Sequence, residues 1–121
     1  MAVIFTIIRH QLKQSEREIM SRRIISTTAA PAAIGPYSQA VQINGVVYTS
    51  GQIGLIPETG EMAKGLKEQT HQAFKNLSAI LQEAGSSLDH VVKFTLFLYD
   101  MNDFAIVNEI MKEYVSEPYP A

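Results

Sequence analysis

Two short stretches hold residue types that could act on a small polar molecule. The first is Ile34-Gly35-Pro36-Tyr37-Ser38-Gln39-Ala40. A Gly-Pro pair forces a sharp turn and sets the direction of the residue that follows. Tyr37 would project from that turn with an apolar ring and a polar tip. The plainer alternative is a loop whose tyrosine packs on the core. The second stretch is Tyr48-Thr49-Ser50-Gly51-Gln52-Ile53-Gly54. Glycine at a strand end lets a ligand approach the backbone closely. Ser50 offers a hydroxyl, and nearby peptide N–H groups could hold a carboxylate. An ordinary strand end with a bulge would have the same residues. A third candidate is Asn108, one residue off the apolar stripe of its helix, where it would either cap a local network or line a pocket.

Other chemistries lack their residues. Gly51 and Gly54 are not followed by the Gly-Lys-Ser/Thr of a phosphate loop. There is no Gly-x-Ser-x-Gly elbow. His10, His71 and His90 have no metal-ligand spacing, so surface or capping roles are expected and no metal is called for. Glu109 and Glu113 are four apart on a helix with Lys112 between them, which reads as a solvated face. The chain has no cysteine, which removes disulfides, thiolate nucleophiles and cysteine-type zinc sites.

These residues need a scaffold, and the pattern around them supplies one. Arg22–Thr28 reads as a strand and Ala29–Pro36 as a loop. Gln39–Ile43 and Val46–Ser50 flank Asn44-Gly45, a strong hairpin signal because both turn residues need positive φ. Pro57-Glu58-Thr59-Gly60 reads as a second turn. Leu66–Ala84 has apolar residues at helical spacing on one face and ends before Gly85, a left-handed cap candidate. Val91–Tyr99 alternates Val92, Phe94, Leu96 and Leu98 with Lys93, Thr95, Phe97 and Tyr99. Large residues on both faces predict a central strand covered on both sides. Asp100 to Asp103 carries helix-start chemistry. Phe104, Val107, Ile110, Met111 and Tyr114 form one face of a second helix, which Pro118 and Pro120 break. The order β, β-hairpin, α, β, α calls for a strand to follow, paired with the Val91–Tyr99 strand, which otherwise keeps an unpaired edge.

The length of 121 residues suits one domain. Charge is uneven along it. Residues 1–23 hold all four arginines and Lys13 against Glu16 and Glu18, for +3, while residues 24–121 hold five lysines against ten acids, for −5. The acidic body has no basic stripe for a phosphate backbone, which argues against nucleic acid as a partner. No apolar run approaches the ~20 residues of a membrane span. Arg9, Lys13 and Arg17 after the apolar start leave a mitochondrial presequence open, but Glu16 and Glu18 count against it. The expectation is a cytoplasmic protein with a poorly ordered extension over residues 1–19 and a domain over residues 20–121.

Taken in order, IGPYSQA, the Asn-Gly hairpin, TSGQIG, PETGE, VVKFTLFLYDMNDFAIVNEIMKEYV and YPA resemble the RidA (YjgF) family of enamine/imine deaminases, from about Met20 to Ala121. Each motif is weak alone, but the set at this spacing is specific. The resemblance implies an α+β, chorismate-mutase-like domain, with a sheet and two helices on one face, and a homotrimer holding its ligand in clefts between subunits. It implies hydrolysis of 2-aminoacrylate and related 2-imino acids to 2-oxo acids and ammonia without a cofactor. By motif, Tyr37 would be the catalytic cleft residue contacting substrate or water. Ser50 and Gly51 would lie at the carboxylate and imine end, and Asn108 would be a further cleft residue. The family also has an arginine directly after a Pro-Ala pair, then two last strands with a water-orienting glutamate. Here Pro120-Ala121 are the final residues, so the resemblance implies a domain without its last strands. That keeps two alternatives open: a non-catalytic chain or binding subunit, and an RNA-cleaving translation inhibitor.

Overall fold

The computed structural model describes residues 2–9 and 21–121; within residues 2–9 the only side chain described is that of Thr6. Among the described residues, five strands and two α-helices make up the fold. The strands are β1 (Ala2–Arg9), β2 (Arg23–Ile25), β3 (Ala40–Ile43), β4 (Val46–Thr49) and β5 (Val91–Leu98). The helices are α1 (Gly65–Glu83) and α2 (Phe104–Met111). The sheet runs β2-β3-β4-β1-β5, and every neighbouring pair is antiparallel. No described helix is long and apolar enough to cross a membrane.

Local chemistry built most of these elements as expected. Asn44 and Gly45 take φ of 52° and 72°, the paired positive values of a tight hairpin turn. Gly85 takes φ of 79° and closes α1 with a Schellman pair: Gly85 N–H donates to Gln82 at 2.9 Å and Ser86 N–H to Leu81 at 2.8 Å. The Asp100 carboxylate accepts from Asn102 N–H at 2.9 Å and opens the 3-10 turn that leads into α2.

The beginning of the chain differs from expectation. Residues Ala2–Arg9 form β1, inserted between β4 and β5, rather than part of a poorly ordered extension. Residues 10–20 lie outside the described part. The physical reason is twofold. Val3-Ile4-Phe5-Thr6-Ile7-Ile8 is rich in strand-forming residues, and β5 needs an antiparallel neighbour for its backbone groups. Ala2 to Ile7 pair continuously with Leu98 to Lys93. Thr6 is buried at the centre of this join: its N–H donates to Thr49 Oγ1 at 3.1 Å and its hydroxyl to the Lys93 carbonyl at 3.0 Å. One edge of β5 is therefore filled by β1, while the other still has no partner strand among the described residues. On the other edge, Phe94 N–H donates to Ala121 O at 2.7 Å and Ala121 N–H to Val92 O at 3.0 Å.

β5 is thus the last strand of this sheet, not a central one, and only one of its faces is covered. Cross-strand rows show why. Ile25, Ala40 and Phe94 sit with Thr49 and Thr6 on the inner face and are all buried against α1. α1 contributes Ala73, Phe74, Leu77, Ile80 and Leu81 to the same core. Phe74 makes an edge contact with Phe94 at 5.9 Å and stacks on Tyr114 at 4.9 Å. Tyr114 OH is 2.7 Å from His71 Nδ1. Partial burial holds the Tyr114 phenol above its ordinary pKa, with Glu113 and Glu68 adding to the effect.

The outer face carries the row Ile24, Val41 and Tyr48, with Phe97 on β5. Tyr48 is 48% exposed and Phe97 55% exposed.

Candidate functional site

The Tyr37 loop and the strand end after β4 meet. Together they enclose a cavity of about 390 Å³ lined by Pro31, Ile34, Tyr37, Gln39, Gly51 and Ile53, among others. Its position follows from local bonds. Gly35 at φ of 127° adopts a backbone that only glycine takes readily. Tyr37 N–H then donates back to Gly35 O at 2.9 Å. The Tyr37 ring is half-exposed, and its hydroxyl accepts from Ile34 N–H at 3.2 Å. That leaves the hydroxyl proton and one lone pair directed to other partners.

Ser50 and Gly51 divide their work. The Ser50 hydroxyl donates to Ser38 O at 2.5 Å and its N–H to Gln39 O at 2.9 Å. Ser50 therefore ties the Tyr37 loop to the strand end from behind, while Gly51 borders the cavity itself. Asn108 is elsewhere. It is exposed on α2 and lines a separate hollow of about 280 Å³ with Tyr119 and Pro120. Within one chain the fold brings Tyr37 and Gly51 together and leaves Asn108 apart. Glu109 and Glu113 hold a solvated face, paired with Lys112 at 2.8 Å and His71 at 3.6 Å. Among the described residues, no group of three His, Asp or Glu side chains is placed to hold a metal ion.

Two residues that shape the cavity escaped the sequence reading. Gln39 is buried, and its amide holds the loop in place: Oε1 accepts from Thr27 N–H at 2.6 Å, and Nε2 donates to Thr27 O at 3.0 Å and Pro31 O at 2.8 Å. Asn76 on α1 bonds the opposite wall, at Ile53 and Leu55. A signal for Asn76 was present. It stands three residues after Ala73 and four before Ile80, a polar residue inside the apolar stripe. Nothing local marked Gln39.

The family model described as Endoribonuclease L-PSP matches residues 27–121. The chain is 54% identical over 101 residues to the 2-iminobutanoate/2-iminopropanoate deaminase of Mus musculus, spanning 83% of this chain and 75% of that one. It is 50% identical over 101 residues to the enzyme of that name from Homo sapiens, spanning 83% and 74%. Among solved structures, RidA from the Antarctic bacterium Psychrobacter sp. superposes with a TM-score of 0.80 at 52% identity over 82% of this chain and 80% of that one. TdcF of E. coli with bound serine superposes with a TM-score of 0.77 at 40% identity over 82% and 80%.

Proposed function

Since the chain belongs to the RidA/YjgF family of imine deaminases, we propose that it hydrolyses small 2-imino acids, including the imine tautomer of 2-aminoacrylate, to 2-oxo acids and ammonia. The observation that carries this reading is the convergence of Tyr37 and the Gly51 strand end on one cavity. The reaction asks little of a protein. The iminium carbon is already electrophilic. Water adds to that carbon and gives up a proton to form a carbinolamine. Its nitrogen then takes up a proton, and the C–N bond breaks to release ammonia as the hydroxyl gives up its remaining proton and the C=O bond of the 2-oxo acid forms. A site must hold the substrate, place the water and assist proton transfer. The Tyr37 hydroxyl, anchored through its oxygen by Ile34 N–H, keeps its proton for the water or the imine nitrogen. Gly51 lets the substrate lie close to the backbone. The relative crystallised with serine supports a ligand of amino-acid size. The acidic body gives no support to an RNA-cleaving role.

The working site is shared between copies in a homotrimer. Two features support this reading: Asn108 lies apart from Tyr37, and the outer sheet face of Ile24, Val41 and Tyr48 is apolar and accessible. A second copy packed on that face would bury it and could bring an Asn108 hollow to a Tyr37 cavity. Tyr48→Asp should then give monomers by light scattering and abolish the activity. A trimeric, active Tyr48→Asp protein would refute the shared site.

The direct test is ammonia release from imines generated in situ. Tyr37→Phe keeps the ring and removes the hydroxyl, so turnover per folded molecule should fall about a hundredfold. The melting temperature should change little, since a partly exposed hydrogen bond contributes only about 0.5–1.5 kcal/mol. A large loss of stability with unchanged turnover would make Tyr37 a packing residue only.

A further inference from the structure

We infer that Asn76 is a positioning residue that sets the cavity wall from inside α1 and so controls substrate binding without touching substrate; this rests on the deaminase reading above. The wall leaves the sheet after Thr49, where β4 ends. From there the backbone runs over α1, and the carbonyls of Ile53 and Leu55 turn toward the helix. Asn76 Nδ2 donates to both, at 3.0 Å and 2.8 Å. Asn76 is 0% exposed, so its NH2 group depends on these two protein acceptors rather than on water. Both partners are pure acceptors, so the amide must present its NH2 group to them. Gln72 Nε2, one turn earlier on α1, donates to Asn76 Oδ1 at 2.8 Å and holds the amide in that orientation.

The approach is close enough for such short reach. Gly54, between the two bonded residues, has no side chain, and a Cβ there would lie 2.6 Å from Gln69 Cα. The wall is flush with the helix and fastened to it by the Asn76 amide, while Ala63 N–H to Gly54 O and Ile56 N–H to Glu61 O, both at 2.8 Å, tie it to the segment that follows. Ile53 and Leu55, whose carbonyls are held, also line the cavity on its other side. An apolar side chain at position 76 would fill the same space, but it would leave two carbonyls that face the helix without donors. Asparagine in an otherwise apolar stripe is thus explained by the wall and not by the helix.

The experiment combines steady-state kinetics on imines generated in situ with amide hydrogen exchange. For Asn76→Ala, KM should rise about tenfold or more, with kcat per folded molecule changed by less than about threefold. Exchange should accelerate at residues 52–56 well beyond any change at Val47 or Phe94 in the sheet. Gln72→Ala releases the amide's anchor without altering the wall bonds directly, and it should raise KM by about two- to threefold. It keeps the test open if Asn76→Ala does not fold. Unchanged KM with unchanged exchange at residues 52–56 would overturn the role, as would equal acceleration across the sheet and the wall. A wild-type protein without imine hydrolysis would instead sink the deaminase reading. The exchange data would then still decide whether Asn76 holds the wall.

Discussion

Phe74→Ala should lower the free energy of unfolding by about 3–5 kcal/mol, the range for removing a fully buried phenylalanine. Phe74 is 0% exposed. Its ring stacks on Tyr114 with an interplanar angle of 9° and meets the Phe94 ring at 72°. One side chain therefore joins α1, β5 and the segment after α2. Collapse around the void would be limited, because the sheet face beneath is held by strand bonds and Tyr114 by its own contact to His71. A small domain has about 5–15 kcal/mol in total, so the variant should unfold at markedly lower urea concentration. Equilibrium urea unfolding followed by circular dichroism measures the change. A loss below about 1 kcal/mol would show that the three rings do not form a cooperative core.

Gly54→Ala should be the most damaging single change in the site. The added carbon would lie 2.6 Å from Gln69 Cα, 2.8 Å from its Cβ and 2.9 Å from its carbonyl oxygen. Two of those atoms are backbone of α1 and cannot swing away, so the wall must lift. Overpacking alone costs about 1–3 kcal/mol, and lifting also strains the Asn76 bonds. KM for the imine should rise by at least about tenfold, the effect of displacing a binding wall. Gly65→Ala is the contrast. Gly65 lies outside the cavity lining, has φ of 82°, and a Cβ there would meet nothing within 4 Å. Its cost is conformational only, about 1–2 kcal/mol, with KM near that of the wild type. Equal effects from the two variants, in urea unfolding and in kinetics, would show that close approach at Gly54 is not what seats the wall.

Local patterns gave reliable elements because local chemistry determines them. The Asn44-Gly45 turn, the Gly85 cap, the Asp100 helix start and the Pro57–Gly60 turn each depend on neighbours within a few residues. The order of motifs from IGPYSQA to YPA was equally legible and led to the right family. The division of the site was not. Tyr37 and Gly51 share a motif set with Asn108, yet only the fold shows that Asn108 occupies a different hollow, beside Met111, Val115 and Tyr119.

The amino-acid sequence by itself determined the turns, the helices, the hairpin and the residue types available for imine chemistry. Only the tertiary structure decided where β1 goes. Val3-Ile4-Phe5-Thr6-Ile7-Ile8 has strand propensity but carries no mark of its partners, and its pairing with Val91–Leu98 spans most of the chain. Backbone hydrogen bonding selects that partner through the shape and open edges of the assembled sheet. Asn76 and Gln39 follow the same physics. Each bonds carbonyls that come within its reach only once a loop has folded over the core, so their need for an amide does not exist until the fold does.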